Sequence, residues 1–236
     1  MTTDFDSFDE SPLGAFVESR LNARNDPRAA HALIVTVETY RPLAFSSLVP
    51  VLIANGIGTD VDLAPGANIH DYILIFLPLP LQQLSWLETV LPEDWTGVIH
   101  YCTENSAWTP RGVKDCSDTL EPVSGMRRAG LSLDQVSVQR SPVESHALTA
   151  GLSRLWHANV DGVVGGTVLT RTNDFSPSGT PWLSTTLQAG IQWVMSGDVN
   201  HLSDDVGLPE TRGRFVTGNL RFVQNLISVA RATRDP

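Results

Sequence analysis

The stretch HALIVTVE, residues 31–38, is apolar and β-branched almost throughout. A run without alternating polar positions is typical of a strand that helices cover on both faces, as in a parallel sheet. The segments HDYILIFLPLP (70–80) and TGVIHYC (96–102) show the same pattern further along the chain. HALIVTVE therefore predicts the first strand of a buried parallel sheet.

Helical patterns lie between and after these runs. RPLAFSSLVPVLIANG (41–56) predicts a helix that Pro50 delays or kinks and that Asn55-Gly56 ends. LQQLSWLETVLPEDW (81–95) and TGNLRFVQNLISVARATR (217–234) are amphipathic, and GTDVDLAPG (58–66) reads as another short strand. Alternation of strands and helices favours parallel strands with crossover connections.

The remaining segments are less regular. VKDCSDTLEPVSGMRRAG (113–130) predicts a helix and DQVSVQRS (134–141) a strand. GGTVLTRT (165–172) and PWLSTTLQAGIQWVMSGD (181–198) read as two antiparallel strands around a polar loop. We expect an α/β fold of three layers: a mostly parallel, flavodoxin-like sheet with helices on both faces and an antiparallel edge pair.

The chain of 236 residues divides by composition into two parts. Residues 1–28 are acidic and poor in core residues, which predicts a partly disordered N-terminal tail. Residues 29–236 are expected to form a single α/β domain, since this length is ordinary for one core.

The charge of the chain excludes some functions. With 26 acidic against 16 basic residues the net charge is −10, which argues against a nucleic-acid surface. No apolar run reaches the roughly 18 residues of a membrane helix, and the acidic N-terminus is unlike a signal peptide. We therefore expect a cytoplasmic protein without membrane insertion. Two cysteines, Cys102 and Cys116, make neither a disulfide framework nor a four-cysteine zinc site.

Candidate chemistry lies where the parallel strands end, because ligands of open α/β sheets bind beyond the carboxyl ends of the strands. Cys102 ends one strand, and the polar stretch SGDVNHLSDD (196–205) follows the last. Cys102 as nucleophile, His201 as base and Asp204 as the orienting acid form one catalytic hypothesis. Further side chains at the same edge are expected to bind a ligand. They are Glu38, Tyr40, Glu104, Trp108, Asp198 and Asn200.

Two alternatives remain for the stretch around His201. Asp198 and His201 would form a metal site if His100 or His157 joined them. In the simpler interpretation, Asp198 caps the turn after the strand through backbone amides. We expect no bound metal and no cofactor.

Three segments resemble a known family. HALTAGL (146–152) is similar to a turn of class I glutamine amidotransferase-like domains. YILIFLPLPLQQLSWLETVL with TGVIHYCTEN resembles their strand–helix–strand unit, and GIQWVMSGDVNHLSDD with GNLRFVQNLISVA resembles their last strand and helix. The most similar subgroup occurs in gliding-motility and ABC-transport accessory, intraflagellar-transport and trehalose-utilisation-like proteins.

The resemblance implies a function as well as a fold. It favours a non-catalytic module that binds a small molecule or a protein partner at the strand-end crevice. Separately, an exposed tryptophan or an edge strand would support a homodimer. The family's catalytic cysteine lies in G-x-C-x-G, whereas this chain has His100-Tyr101-Cys102-Thr103-Glu104. A cysteine-dependent hydrolase is the alternative, and a metal-dependent hydrolase centred on Asp198 and His201 is the weaker one.

Overall fold

The computed structural model of the protein describes residues 30–35, 48–61, 65, 68–78, 84–103, 117–133, 139–157, 160–172, 179–198, 200–202 and 217–234. The predicted N-terminal tail lies outside these residues and stays a prediction. The described strands are β1 (His31–Ile34), β2 (Gly58–Val61), β3 (Tyr72–Leu77), β4 (Gly97–Cys102), β5 (Arg127–Leu133), β6 (Gln139–Pro142), β7 (Arg154–His157), β8 (Val160–Val164), β9 (Thr167–Arg171), β10 (Pro181–Gln188) and β11 (Ile191–Ser196). The described α-helices are α1 (Leu48–Ala54), α2 (Leu84–Val90), α3 (Glu121–Ser124) and α4 (Thr217–Arg234).

Seven strands form the central sheet in the order β2-β1-β3-β4-β11-β10-β9. The first five are parallel to one another, and β10 is antiparallel to both β11 and β9. Strands β3 and β4 are buried at every position, because helices cover both faces of this part of the sheet. The prediction of an α/β fold with a mostly parallel sheet and antiparallel strands at one edge is confirmed.

The core is divided by the sheet into two clusters. One lies under α1 and α4, where Leu52 and Phe222 pack against Ile34 and Phe76. The other lies under α2 and includes Leu87. Helix α1 ends at Asn55-Gly56 as predicted, because Gly56 takes the left-handed conformation with φ of 74°. Within the described residues, no helix has both the length and the apolar character needed to cross a bilayer.

Two local predictions are wrong. The segment 181–198 is not one strand but the hairpin β10–β11, whose turn residues Ala189 and Gly190 have φ of 50° and 78°. Such a turn needs positive φ at both positions, and an alanine gives no signal for it. The end of the predicted helix 113–130 is strand β5, since the described helical part of this segment stops at Ser124 and Gly125 adopts a left-handed φ of 70°.

Two short antiparallel ribbons, β5–β8 and β6–β7, lie outside the main sheet. The β5–β8 ribbon contacts the main sheet just after β11 ends. Asp161 of β8 donates its backbone N–H to the carbonyl of Gly197 over 2.7 Å, and Gly197 donates its own to Trp182 over 2.6 Å. A Cβ on Gly197 would lie 1.8 Å from the Asp161 carbonyl oxygen, so only glycine permits this approach.

Candidate functional site

The ends of β4 and β11 meet, as the sequence predicts. Cys102 and Ser196 are paired residues of the two parallel strands, and Thr103 donates its N–H to the Ser196 carbonyl over 2.7 Å. The following 3₁₀ turn, Asn200–Leu202, brings His201 to His100. The convergence of these distant segments at one rim of the sheet is therefore confirmed.

Among the described residues, the β5–β8 ribbon packs against this rim near the ends of β4 and β11. Asp161 is buried at the rim and forms an ion pair with Arg128 over 2.6 Å. The Thr103 hydroxyl donates to the same carboxylate oxygen over 3.4 Å. At the ends of β4 and β11, the described residues are therefore in contact with the β5–β8 ribbon.

A pair of buried histidines lies beneath the rim, between the sheet and α4. The Nε2 atoms of His100 and His201 are 3.2 Å apart, and neither residue is exposed. The ring of Phe222 contacts both, with centroids 6.0 Å and 5.9 Å away, and Trp182 contacts His201 at 5.7 Å. Aromatic rings therefore exclude water from the pair.

Hydrogen bonds determine the tautomers of this pair. His201 Nδ1 is hydrogen-bonded to the backbone carbonyl of Asp198, which can only accept, so Nδ1 carries the proton. The neutral ring then accepts at Nε2, and His100 must donate from its own Nε2. His100 Nδ1 is left as an acceptor, facing the Cys102 thiol over 3.7 Å. The hydrogen bonds therefore all point the same way. Cys102 donates to His100, His100 donates to His201, and His201 donates to the Asp198 carbonyl.

Both imidazoles are held neutral. Burial lowers the pKa of His201 to about 4, against an opposing contribution from its bond to the Asp198 carbonyl. Burial, followed by the neighbouring His201, holds the pKa of His100 well below its usual range. An added proton on either ring would interrupt this chain of hydrogen bonds. The pair therefore has its structural role when both imidazoles are neutral.

The sequence-predicted site residues have different outcomes. Cys102 is fully buried, and His100 lies between it and His201, so His201 does not use its Nε2 on the thiol. Asp198 is buried. Its backbone N–H donates to the Ser196 hydroxyl and its carbonyl accepts from the same hydroxyl, as expected of a turn. Outside the described residues lie Glu38, Tyr40, Glu104, Trp108 and Asp204, and of Asn200 only the backbone placement is described.

The metal alternative gains no support from the histidine pair. Each ring nitrogen of His201 already has a protein partner. Among the residues that the structure describes, no three His, Cys, Asp or Glu side chains are grouped as metal ligands. His157, the other proposed ligand, bonds the Ser141 hydroxyl through Nε2 over 2.8 Å.

An open groove of about 540 Å³ lies on the flank of the molecule, between the β6–β7 ribbon and the first half of α4. Asn219 of α4 ties its two walls together, accepting the Trp156 N–H and donating to the Trp156 carbonyl. The same amide donates to the carbonyl of His201 over 2.9 Å, which connects the groove to the histidine pair. The described lining residues are Arg140, Gly151, Leu152, Ser153, Arg154, Trp156, Leu220, Arg221 and Gln224.

The groove combines an aromatic side chain with hydrogen-bond donors. Arg140 stacks on the ring of Trp156, with its guanidinium carbon 4.6 Å from the centroid. Arg221 reaches over Gly151, whose φ of 73° turns the chain there. The sequence did not predict that these arginines share a groove with Trp156. Their spacing gives no signal, because ribbon and helix are some 65 residues apart in the sequence.

Comparison with known proteins gives a likeness of fold to solved structures. Neither a family model nor a curated protein sequence matches the chain. Among solved structures, a β-galactosidase from Rahnella sp. R3 matches 88% of the chain with a TM-score of 0.55 and 16% identity. A β-galactosidase from Bacillus circulans sp. alkalophilus matches 93% with a TM-score of 0.54 and 13% identity. The chain spans only 32% and 33% of the length of these two proteins.

These matches correct the family and the function predicted from sequence. The assignment to the glutamine amidotransferase-like domains is wrong, since the solved structures that share this fold are glycoside hydrolases. The quoted segments are a buried strand, a turn and an amphipathic helix, which describe a local arrangement rather than a family. The predicted function as an amidotransferase-like binding module is therefore also wrong. The alternative prediction of a cysteine hydrolase is wrong as well, because its nucleophile would be the buried Cys102.

Proposed function

We propose that this chain is a saccharide-binding α/β unit of a glycoside hydrolase, and that the sugar binds in the groove between the β6–β7 ribbon and α4. The observation that carries the proposal is the fold likeness, which extends over 88% and 93% of the chain in two β-galactosidases. Because those proteins are about three times longer, the chain corresponds to one part of such an enzyme.

The groove suits a sugar better than the rim does. A sugar ring has apolar C–H faces and a periphery of hydroxyl groups, so it binds where an aromatic surface lies beside hydrogen-bonding side chains. Trp156 supplies that surface, and Gln224 and Ser153 supply donors and acceptors. At the rim, the described residues near the ends of β4 and β11 are packed against the β5–β8 ribbon, and the two histidines are buried.

The proposal concerns binding of the sugar, not cleavage at the groove. Glycoside hydrolysis uses two carboxyl groups that flank the scissile bond. The described lining of the groove contains none. Cleavage is therefore assigned to another part of the enzyme in which this unit works.

The finer features of the fold and location follow as proposals. The order β2-β1-β3-β4, continued by β11, supports the flavodoxin-like winding expected from sequence. A cytoplasmic location and a homodimer stay predictions.

Calorimetric titration of the purified chain with galactose, lactose and β-1,4-galactobiose tests the proposal. We expect saturable binding to at least one of them, and Gln224→Ala should weaken it about threefold to tenfold through loss of a hydrogen bond. Gln188→Ala is the matched control, because Gln188 is exposed on β10 and lies outside the groove lining. Absence of binding to every sugar, or equal loss in both variants, would refute the proposal.

A further inference from the structure

The groove gathers positive charge in an acidic protein. The chain has only 16 basic residues and a net charge of −10. Three arginines from three elements nevertheless line this one groove: Arg140 of β6, Arg154 of β7 and Arg221 of α4. The described lining contains no carboxylate to balance them.

Two of these arginines, Arg154 and Arg221, are exposed in the groove. Among the described residues, neither Arg154 nor Arg221 forms an ion pair, whereas Arg127 and Arg128 pair with Glu121 and Asp161. Arg140 is held against Trp156 at 4.6 Å. Like charges brought together repel, so placing the guanidinium groups of Arg154 and Arg221 in a groove whose described lining holds no carboxylate costs stability. A bound anion reverses this cost.

The side-chain type also indicates what binds. A guanidinium group presents donors in a planar fork that matches a carboxylate, sulfate or phosphate in a bidentate way. Trp156 adds a surface for a ring next to that fork. The site thus has one part for an oxyanion and one part for a sugar.

We propose that the saccharide bound in this groove carries an oxyanion, either a carboxylate or an ester of sulfate or phosphate. Arg154 and Arg221 bind the oxyanion, and the ring lies on the side of Trp156 and Gln224. This inference rests on the proposed function and goes further, because it distinguishes acidic saccharides from the neutral galactosides.

The test compares two α-1,4-linked disaccharides that differ at C6, where one carries carboxylates and the other hydroxymethyl groups. Binding of digalacturonate and of neutral galactobiose is measured by calorimetry at low salt, with sodium phosphate and sodium sulfate as sugar-free oxyanions. Digalacturonate should bind about tenfold more tightly than galactobiose or more, since charge-assisted hydrogen bonds are the stronger ones. Added sodium chloride should weaken the acidic ligand selectively.

Variants separate the two parts of the site. Arg154→Gln and Arg221→Gln should each weaken digalacturonate about tenfold and galactobiose by less than about twofold. Both residues are exposed, so the variants are expected to fold. Arg127→Gln removes the same charge outside the groove lining and should change neither affinity.

The outcomes distinguish this inference from the proposed function. Equal affinity for the two saccharides overturns the inference and leaves neutral sugar binding intact. Binding of phosphate or sulfate without either saccharide overturns both, because the groove is then an oxyanion site without a sugar. Tighter digalacturonate binding that does not depend on Arg154 or Arg221 overturns the assignment of the oxyanion to these residues.

Discussion

Acidification should destabilise this protein through its buried histidine pair. Burial lowers the pKa of His201 in the folded state to about 4, against an ordinary value of 6.5. The unfolded chain therefore takes up a proton at a pH where the folded chain does not. Stability from this group is complete above about pH 6.5. It is lost progressively as the pH falls towards 4.

The size of the effect follows from these two pKa values. Between pH 7.5 and pH 5.0, His201 alone should lower the free energy of unfolding by about 2 kcal/mol. The pKa of His100 is lowered in the same direction, so His100 increases the loss. A loss of this size is a large fraction of the stability of an ordinary domain.

Urea unfolding at several pH values, followed by tryptophan fluorescence, measures the loss. Wild type is compared with His201→Gln, which removes the titrating group, and with His70→Gln, which makes the same change at an exposed histidine. The pH dependence should be smaller in His201→Gln by about 2 kcal/mol and unchanged in His70→Gln. Groups remote from His201 cancel in this comparison, because all three proteins share them. The neighbouring His100 contributes to the difference, because His201 lowers its pKa.

Equal pH dependence in His201→Gln and wild type would refute the reasoning, since the imidazole would then titrate alike in the folded and unfolded states. A second measurement does not depend on the variant. In a nuclear magnetic resonance titration of wild type, the ring protons of His201 should not shift above about pH 5. A midpoint near 6.5 would show that His201 is solvated.

Three further predictions concern the same core. In a Cys116→Ser background, Cys102 should react with a thiol reagent only as fast as the protein opens, because its side chain is fully buried; labelling within minutes of mixing would contradict this. Gly197→Ala should lower the free energy of unfolding by about 3 kcal/mol, because its Cβ would strike the Asp161 carbonyl. Gly56→Ala, which makes no such close contact, should cost about 1 kcal/mol for its positive φ. Similar urea midpoints for the two variants would refute the contact at Gly197. Phe222→Ala should cost about 4 kcal/mol, measured by the same unfolding, because it opens a cavity beside both histidines.

The parallel part of the fold was predictable because its signals are local. Runs such as HALI (31–34) and YILIFL (72–77) are buried on both faces, and helix α4 has the bounds 217–234 that its apolar periodicity predicts. The β10–β11 hairpin was missed because its turn has Ala189 in place of the residues that favour positive φ. Strand β5 was missed because its partner β8 is distant in sequence.

The site was predictable only in part. The order of parallel strands brings Cys102 and His201 to one rim, so their approach follows from topology. Their burial does not, because it depends on how the β5–β8 ribbon and Phe222 cover them. The arginine groove depends on the docking of a ribbon against a helix, and such long-range packing has no signature in the sequence.

The contact between Gly197 and Asp161 has a consequence for how this protein can change over evolutionary time. Open α/β sheets bind ligands beyond the carboxyl ends of their strands. Among the described residues, the end of β11 lies so close to Asp161 of β8 that position 197 admits no side chain. We expect substitutions that change specificity to occur in the β6–β7 ribbon and in α4. Arg154 and Arg221 are exposed there and can be replaced without disturbing the interior. Homologous chains should therefore vary along the groove between the β6–β7 ribbon and α4, and should keep glycine at position 197.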